Sequence, residues 1–374
     1  MTGQNRNEPI TEYMYSRASR EKIPLSGTFE LSPLCNFSCR MCYVRKTAQE
    51  IAESPRPEMT VDRWLGIARE AGKRGMLYLL ITGGEPLLLP DFPALYEELS
   101  KMGFVISVNT NGSLIGPSET ELFRRFPPKR LNITLYGACN GTYERLCGVK
   151  GAFSKVDGAI KLLKAAGIPV KLNGSFTPDN VCDMERIVDY AAENGLPLQT
   201  SFYMFPPVRR DEAMTGRNER FTPEEAAKYR LRCYKRQNGA ENYERYIESI
   251  LRGLIPPPGL DESCVDPQDG RIRCRAGRAA FWVTWDGYMT PCGLMPRPAV
   301  DLNEMPFERA WDELVKICDR LALSGTCVSC PNQKVCHACG AMALAETGEH
   351  SGIPKYLCRM TEEMKKIAEN EFPR

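Results

Sequence analysis

Cys35, Cys39 and Cys42 stand within eight residues of the stretch L-C-N-F-S-C-R-M-C-Y, spaced C-x3-C-x2-C. Thiolates on so short a loop suit zinc or an iron–sulfur cluster. A closed zinc site takes four ligands, and no fourth cysteine or histidine lies close by in the sequence. A cubane 4Fe–4S cluster held by three cysteines leaves one iron free for an exogenous ligand. Further along, T-G-G-E-P (82–86) offers Gly83 and Gly84, which let the backbone approach a ligand closely. Glu85 beside them can accept hydrogen bonds from an ammonium group. A second thiol group fills the tail: Cys274, then Gly287 and Cys292 as G-x4-C, then Cys327, Cys330, Cys336 and Cys339 as C-x2-C-x5-C-x2-C, then Cys358. Two C-x2-C pairs are also a zinc-ribbon signature.

The elements that must position these groups alternate. Strand patterns fall at 27–31, 76–82, 104–108, 131–135, 169–172 and 198–203. Helix patterns follow Thr60, as an N-cap, and fall at 92–101, 118–126, 152–166 and 182–193. Apolar runs such as M-L-Y-L-L-I-T (76–82) are expected of buried parallel strands. Roughly six βα units result. They form either a partial barrel or an open doubly wound sheet, and connectivity alone leaves both open. In either, functional groups gather beyond the C-terminal strand ends, where the cysteine loop, T-G-G-E-P, N-T-N-G (109–112) and T-L-Y-G (134–137) all fall. The organisation expected is a lead-in at 1–26, an α/β core at 27–205, a helical linker at 206–260 and a cysteine-rich extension at 261–374. The linker opens on a charge run at 208–212, expected as a solvated face, carries polar helices at 223–237 and 241–252, and ends at I-P-P-P-G (255–259). In the extension, Trp282, Trp285 and Tyr288 flank a D-G hairpin turn as packing residues, and Cys318 lies in a helix at 307–321.

Composition narrows the classes. With 49 Lys+Arg against 47 Asp+Glu, the chain lacks the basic excess of a protein that grips nucleic acid. No run of eighteen apolar residues and no apolar signal segment occur, so a cytoplasmic location without a membrane span is expected. Sixteen cysteines without an export signal favour metal ligation over disulfides. Cys139, Cys147, Cys182 and Cys233 are scattered and are expected as ordinary buried residues. Only two histidines, His337 and His350, are present, which argues against a Ser-His-Asp triad.

The cysteine triplet after the first strand, with G-G-E after the second, resembles the radical S-adenosylmethionine (radical SAM) superfamily. The tail resembles the SPASM extension of such enzymes, with one residue missing between Cys336 and Cys339. The resemblance implies a partial (β/α)6 TIM-like barrel with a cysteine-rich α+β C-terminal extension. It implies a SAM-binding 4Fe–4S cluster on Cys35, Cys39 and Cys42, whose free iron SAM chelates. SAM contacts would come from Gly83, Gly84 and Glu85, from Asn111 and Thr134, and from the backbone at Met41, where the family often has an aromatic residue. Two auxiliary 4Fe–4S clusters are implied: one on Cys274, Cys292, Cys339 and the upstream Cys264, the other on Cys327, Cys330, Cys336 and Cys358. The chemistry implied is reductive SAM cleavage to a 5′-deoxyadenosyl radical, fed by a flavodoxin- or ferredoxin-type reductant, with hydrogen abstraction from a peptide or protein. The 26 residues before the first strand are too few for a peptide-recognition domain, so the leader of a peptide substrate is expected to be held elsewhere or by a separate leader-binding protein. The competing substrates are a tetrapyrrole on the path to haem and a sulfatase, the latter disfavoured because Gly293 rather than Asp follows Cys292. An electron-transfer or zinc-binding scaffold is the non-enzymatic alternative, and G-G-E argues against it. No residue is assigned as catalytic acid or base.

Overall fold

A computed structural model describes residues 10–253, 270–271 and 274–372. Cys264 and the I-P-P-P-G segment lie outside the described residues. The described strands are β1 (Ser26–Glu30), β2 (Tyr78–Thr82), β3 (Val105–Thr110), β4 (Arg130–Thr134), β5 (Val170–Ser175), β6 (Leu198–Ser201), β7 (Ala280–Val283), β8 (Tyr288–Thr290) and β9 (Val300–Asp301). They form one sheet in the order β6-β5-β4-β3-β2-β1-β7-β8-β9. β1 to β6 are parallel throughout, each beside its predecessor. A doubly wound sheet would reverse its strand order at a switch point. The order here never reverses, so the core is a singly wound partial barrel.

The helices cover one face because the strands alternate. Ile106 and Val108, Leu131 and Ile133, and Val170 and Leu172 point into the main core, all 6% exposed or less. The helix Val61–Lys73, capped by Thr60 accepting from the Arg63 N–H, packs Trp64, Ile67, Ala68 and Ala71 against this face. Residues one step out of phase on β3 to β5 are Asn109, Asn132, Thr134, Lys171 and Asn173, so the uncovered face is polar. The sequence reading treated the strands as apolar runs; for β3 to β5 the pattern is a two-residue alternation with a hydrophilic inner face.

The tail is joined to this sheet. β7 pairs in parallel with β1, and the D-G hairpin continues as antiparallel β8 and β9. The segment after β6 leads to a long helix, Pro223–Arg252, interrupted at Gly239 (φ 80°, ψ 171°), where the sequence predicts two helices. It meets the C-terminal helix Lys355–Glu371 through Arg359–Glu224 and Tyr243–Glu371 hydrogen bonds. Among the described residues no helix is long and apolar enough to cross a membrane.

Candidate active site

The cysteine loop leaves β1 and is stitched to the loop after β2 by backbone. Leu31 N–H donates to Thr82 O (2.9 Å), Gly84 N–H to Ser32 O (2.7 Å) and Glu85 N–H to Leu34 O (2.9 Å). A Cβ at Gly83 would meet Ser32 O at 2.5 Å, and one at Gly84 would meet Leu34 O at 2.3 Å. The glycines are therefore required first by the approach of the two loops, whatever ligand they also face. Phe37, 1% exposed, anchors the loop edge-on to Tyr136 and Tyr143. Ser38 N–H donates to Cys147 O (2.8 Å), and Arg210 donates to Cys42 O (3.2 Å).

These contacts put Cys35, Cys39 and Cys42 on the wall of a cavity of about 170 Å³. Gly83, Gly84, Asn111 and Thr134 line the same cavity, as expected from their strand-end positions. Asn111 donates from Nδ2 to Asn36 Oδ1 (2.8 Å) and lies 3.8 Å from Cys35 Sγ. The side chains of Glu85 and Met41 are not on that wall, although for Met41 the contact expected is through its backbone. Glu85 is fully buried behind the wall, accepting from Thr110 Oγ1 (2.8 Å), Asn111 N–H (2.7 Å) and Leu87 N–H (3.2 Å). Burial raises its pKa to about 7 despite those donors. In this arrangement it braces the β2 loop against the end of β3. The Met41 side chain packs into the main core.

Tyr43, Asn109, Tyr136 and Asn173 also line the cavity and were not singled out by sequence reasoning. Their signal was available: Tyr43 follows the third cysteine, Asn109 opens N-T-N-G, and Tyr136 stands in T-L-Y-G. Burial pushes the Cys35 thiol up to about 12 and raises that of Cys42 as well. Cys39 is held below its ordinary value by a hydrogen bond with Cys147, which outweighs burial. Cys147 is thus part of the loop's support rather than an unrelated core residue. Cys233 is buried as expected, Cys139 is half-buried and Cys182 is exposed, the last against expectation.

In the charge run at 208–212, Arg210, Asp211 and Glu212 are exposed as expected, while Val208 and Arg209 are not. The Arg209 side chain is only 11% exposed and bonds both oxygens of the fully buried Glu30 (2.8 and 2.9 Å) and Gly293 O (2.9 Å). Trp282 Nε1 donates to the same carboxylate (2.9 Å). Arg209 and Arg210 therefore tie together the loop of Cys42, the end of β1 and the loop after Cys292.

In the tail, Cys274, Cys292 and Cys339 surround one small apolar cluster of Met295, Ala341 and Leu344. Cys358 lies within electrostatic reach of Cys336, Cys327 and Cys330. The tail thiols thus stand in two neighbourhoods, with Cys318 also near Cys274 and Cys292 and with Cys264 outside the described residues. Cys318 is buried against Gly277. His337, in the left-handed region at φ 53°, buries both ring nitrogens without a hydrogen-bond partner. Among the described residues no three His, Cys, Asp or Glu side chains converge as for one metal ion.

Comparison with known proteins follows this geometry. The family model for the radical SAM superfamily matches residues 29–208. The chain is 27% identical over 332 residues to an AdoMet-dependent heme synthase of Methanosarcina barkeri, spanning 86% of this chain and 93% of that protein. It is 25% identical over 283 residues to the sporulation killing factor maturation protein SkfB of Bacillus subtilis, spanning 74% of this chain and 62% of SkfB. The fold matches that of Streptococcus suis SuiB bound to S-adenosylmethionine with a TM-score of 0.66, covering 96% of this chain and 84% of SuiB at 18% identity. SuiB is also solved bound to its precursor peptide SuiA. Residues 29–208 are a radical SAM domain, and the chain is an enzyme.

Proposed function

We propose that the chain oxidatively modifies a peptide, by a cross-link or a related change, starting from hydrogen abstraction in the cavity beside Cys35, Cys39 and Cys42. The carrying observation is that these thiols share one wall with Gly83, Gly84 and Thr134, so the groups that would hold a cluster and those that would meet the ligand of its free iron face the same space. When bound, the cluster and SAM supply a 5′-deoxyadenosyl radical. The chain's own groups do the rest. Cys35, Cys39 and Cys42 are the cluster ligands, and the loop carrying them is fixed by its backbone bonds to β2. Gly83 and Gly84 bring peptide groups of the same loop to the cavity, where they meet the amino acid end of SAM. Asn111 and Thr134 offer polar contacts from the ends of β3 and β4. Glu85 holds that constellation from behind. Phe37 and Tyr136 shield the wall from water.

Cys274, Cys292 and Cys339, completed by Cys264, form one auxiliary cluster site in this reading, and Cys327, Cys330, Cys336 and Cys358 form the other. When bound there, such clusters would supply an electron acceptor or an anchor for a substrate thiolate. A flavodoxin- or ferredoxin-type protein supplies the first electron. Peptide action is supported by the similarity to SkfB and by the SuiB fold. One observation favours a second reading, a tetrapyrrole substrate: the match to the heme synthase spans 93% of that protein, that to SkfB only 62% of SkfB.

Anaerobic reconstitution with iron and sulfide, followed by dithionite and SAM, tests the proposal. Formation of 5′-deoxyadenosine is expected, and its absence would refute the initiation step. Incubation with candidate precursor peptides, read by mass change, tests the substrate. Loss of two hydrogens from a peptide is expected; an unchanged peptide alongside conversion of a carboxylated porphyrin would transfer the reading to tetrapyrroles.

A further inference from the structure

The uncovered face of β3 to β6 holds a second cavity, of about 350 Å³, which shares Asn109, Thr134 and Asn173 with the thiol cavity. Strand register fixes its layers. Arg130 stands opposite Ser107, Asn132 opposite both Asn109 and Lys171, and Thr134 opposite Asn173. Two-residue steps keep Arg130, Asn132 and Thr134 on one face of β4, and Lys171 and Asn173 on one face of β5. The lining contains two cations and no Asp or Glu.

Both cations lack an anion. Lys171 Nζ donates to the neutral Gln199 Oε1, and Arg130 has no ion pair among the described residues. Arg209 and Arg220, whose side chains are also largely buried, behave otherwise: Arg209 faces Glu30 and Arg220 faces Glu346. Asn132 Oδ1 is buried at the same level without a hydrogen-bond partner, while its Nδ2 is held by Asn109 Oδ1 (2.8 Å). Burial, and secondarily the Arg130 charge, lowers the pKa of Lys171, as for a cation awaiting its counter-ion. The simplest alternative is a solvated sheet face. It accounts for the exposed Arg130 but not for a half-buried lysine aimed at an amide, nor for an orphaned amide oxygen next to it.

We infer that this groove receives a carboxylate of the substrate between Lys171 and Arg130, while the reacting carbon lies at the Thr134–Asn173 level, facing the thiol cavity. Along the strands the Thr134–Asn173 level lies about 6.6 Å from the Lys171–Asn132 level and about 13 Å from Arg130. Asn132 Oδ1 would then accept a backbone N–H of the segment in between. Naming the carboxylate as an Asp or Glu side chain rests on the peptide reading above; the anion site does not.

The test is a selection. A randomised hexapeptide library is panned on the anaerobically reconstituted full chain with SAM, in parallel with its Lys171→Gln, Lys171→Arg and Arg130→Gln forms. Coproporphyrin III binding is measured by fluorescence on the same four proteins. An acidic residue enriched about tenfold or more at one position, lost in Lys171→Gln and kept in Lys171→Arg, supports the inference; that ratio is the size of a charge-assisted hydrogen bond. Retention in Lys171→Arg also shows that loss in Lys171→Gln is not misfolding. Peptides enriched without acidic preference, or with a preference indifferent to both substitutions, overturn the carboxylate site and leave the peptide reading intact. No peptide enriched but porphyrin binding dependent on Lys171 keeps the carboxylate site and overturns the peptide reading. Neither ligand bound overturns both.

Discussion

The thiols at 35–42 hang from the end of β1, which is flanked by β2 and β7 in the interior of the sheet, and their loop is bonded through its backbone to β2. The thiols at 327–358 sit on short helices, Gly325–Val328 and Gln333–Cys336, and on the first turn of Lys355–Glu371. The first region is held by an extended sheet with a large buried core of its own. The second has few buried apolar groups of its own and relies on whatever its thiols hold. Metal binding and folding are coupled most strongly where no preformed core exists. The front loop is therefore expected to keep its shape in the iron-free chain, and the tail to loosen.

The largest expected effect separates the regions by activity. Cys42→Ala should lower 5′-deoxyadenosine formation by more than the ~100-fold that supporting groups cost. Cys330→Ala should instead remove about four irons per chain while uncoupled SAM cleavage persists. Equal loss of cleavage in both would erase the distinction. Arg209→Met tests the bridge between the regions. It leaves Glu30 buried without its cation and should destabilise the chain by about 3–5 kcal/mol in urea unfolding. A loss under ~1 kcal/mol would mean water reaches that carboxylate.

A subtler effect comes from Glu85. The folded chain holds its proton up to about pH 7, the unfolded chain only to the ordinary value near 4.5. That stabilisation is complete below pH 4.5 and is lost as the pH rises through 7, about 3 kcal/mol in all. Glu85→Gln should flatten this slope in the metal-free protein. A slope unchanged by the substitution would assign it to other groups. At the small end, Arg359→Ala breaks an exposed pair with Glu224 and should cost about 0–1 kcal/mol.

What was legible in the sequence follows the same divide. The front site was readable because its signals are local: C-x3-C-x2-C and G-G-E each lie at one strand end, and successive strands are neighbours. The tail's two groups were readable only through a family pattern, since Cys292 and Cys339 meet across 47 residues. Arg209 was misread because a charge run says nothing of a partner 179 residues away. The choice of barrel over doubly wound sheet depends on strand order, which no single segment encodes. The polar groove of β3 to β6 was overlooked because Lys171 and Asn132 were absorbed into strand patterns, where one residue in two faces away from the core.

The most direct test of the central claim uses the chain with Cys327, Cys330, Cys336 and Cys358 all changed to Ala, reduced and examined by electron paramagnetic resonance with and without SAM. The account predicts a reduced 4Fe–4S signal from the front loop whose g-values shift when SAM is added, since the thiols leave one iron open to it. A signal indifferent to SAM, or one lost on further changing Cys274, Cys292 and Cys339 while Cys35, Cys39 and Cys42 remain, would contradict it.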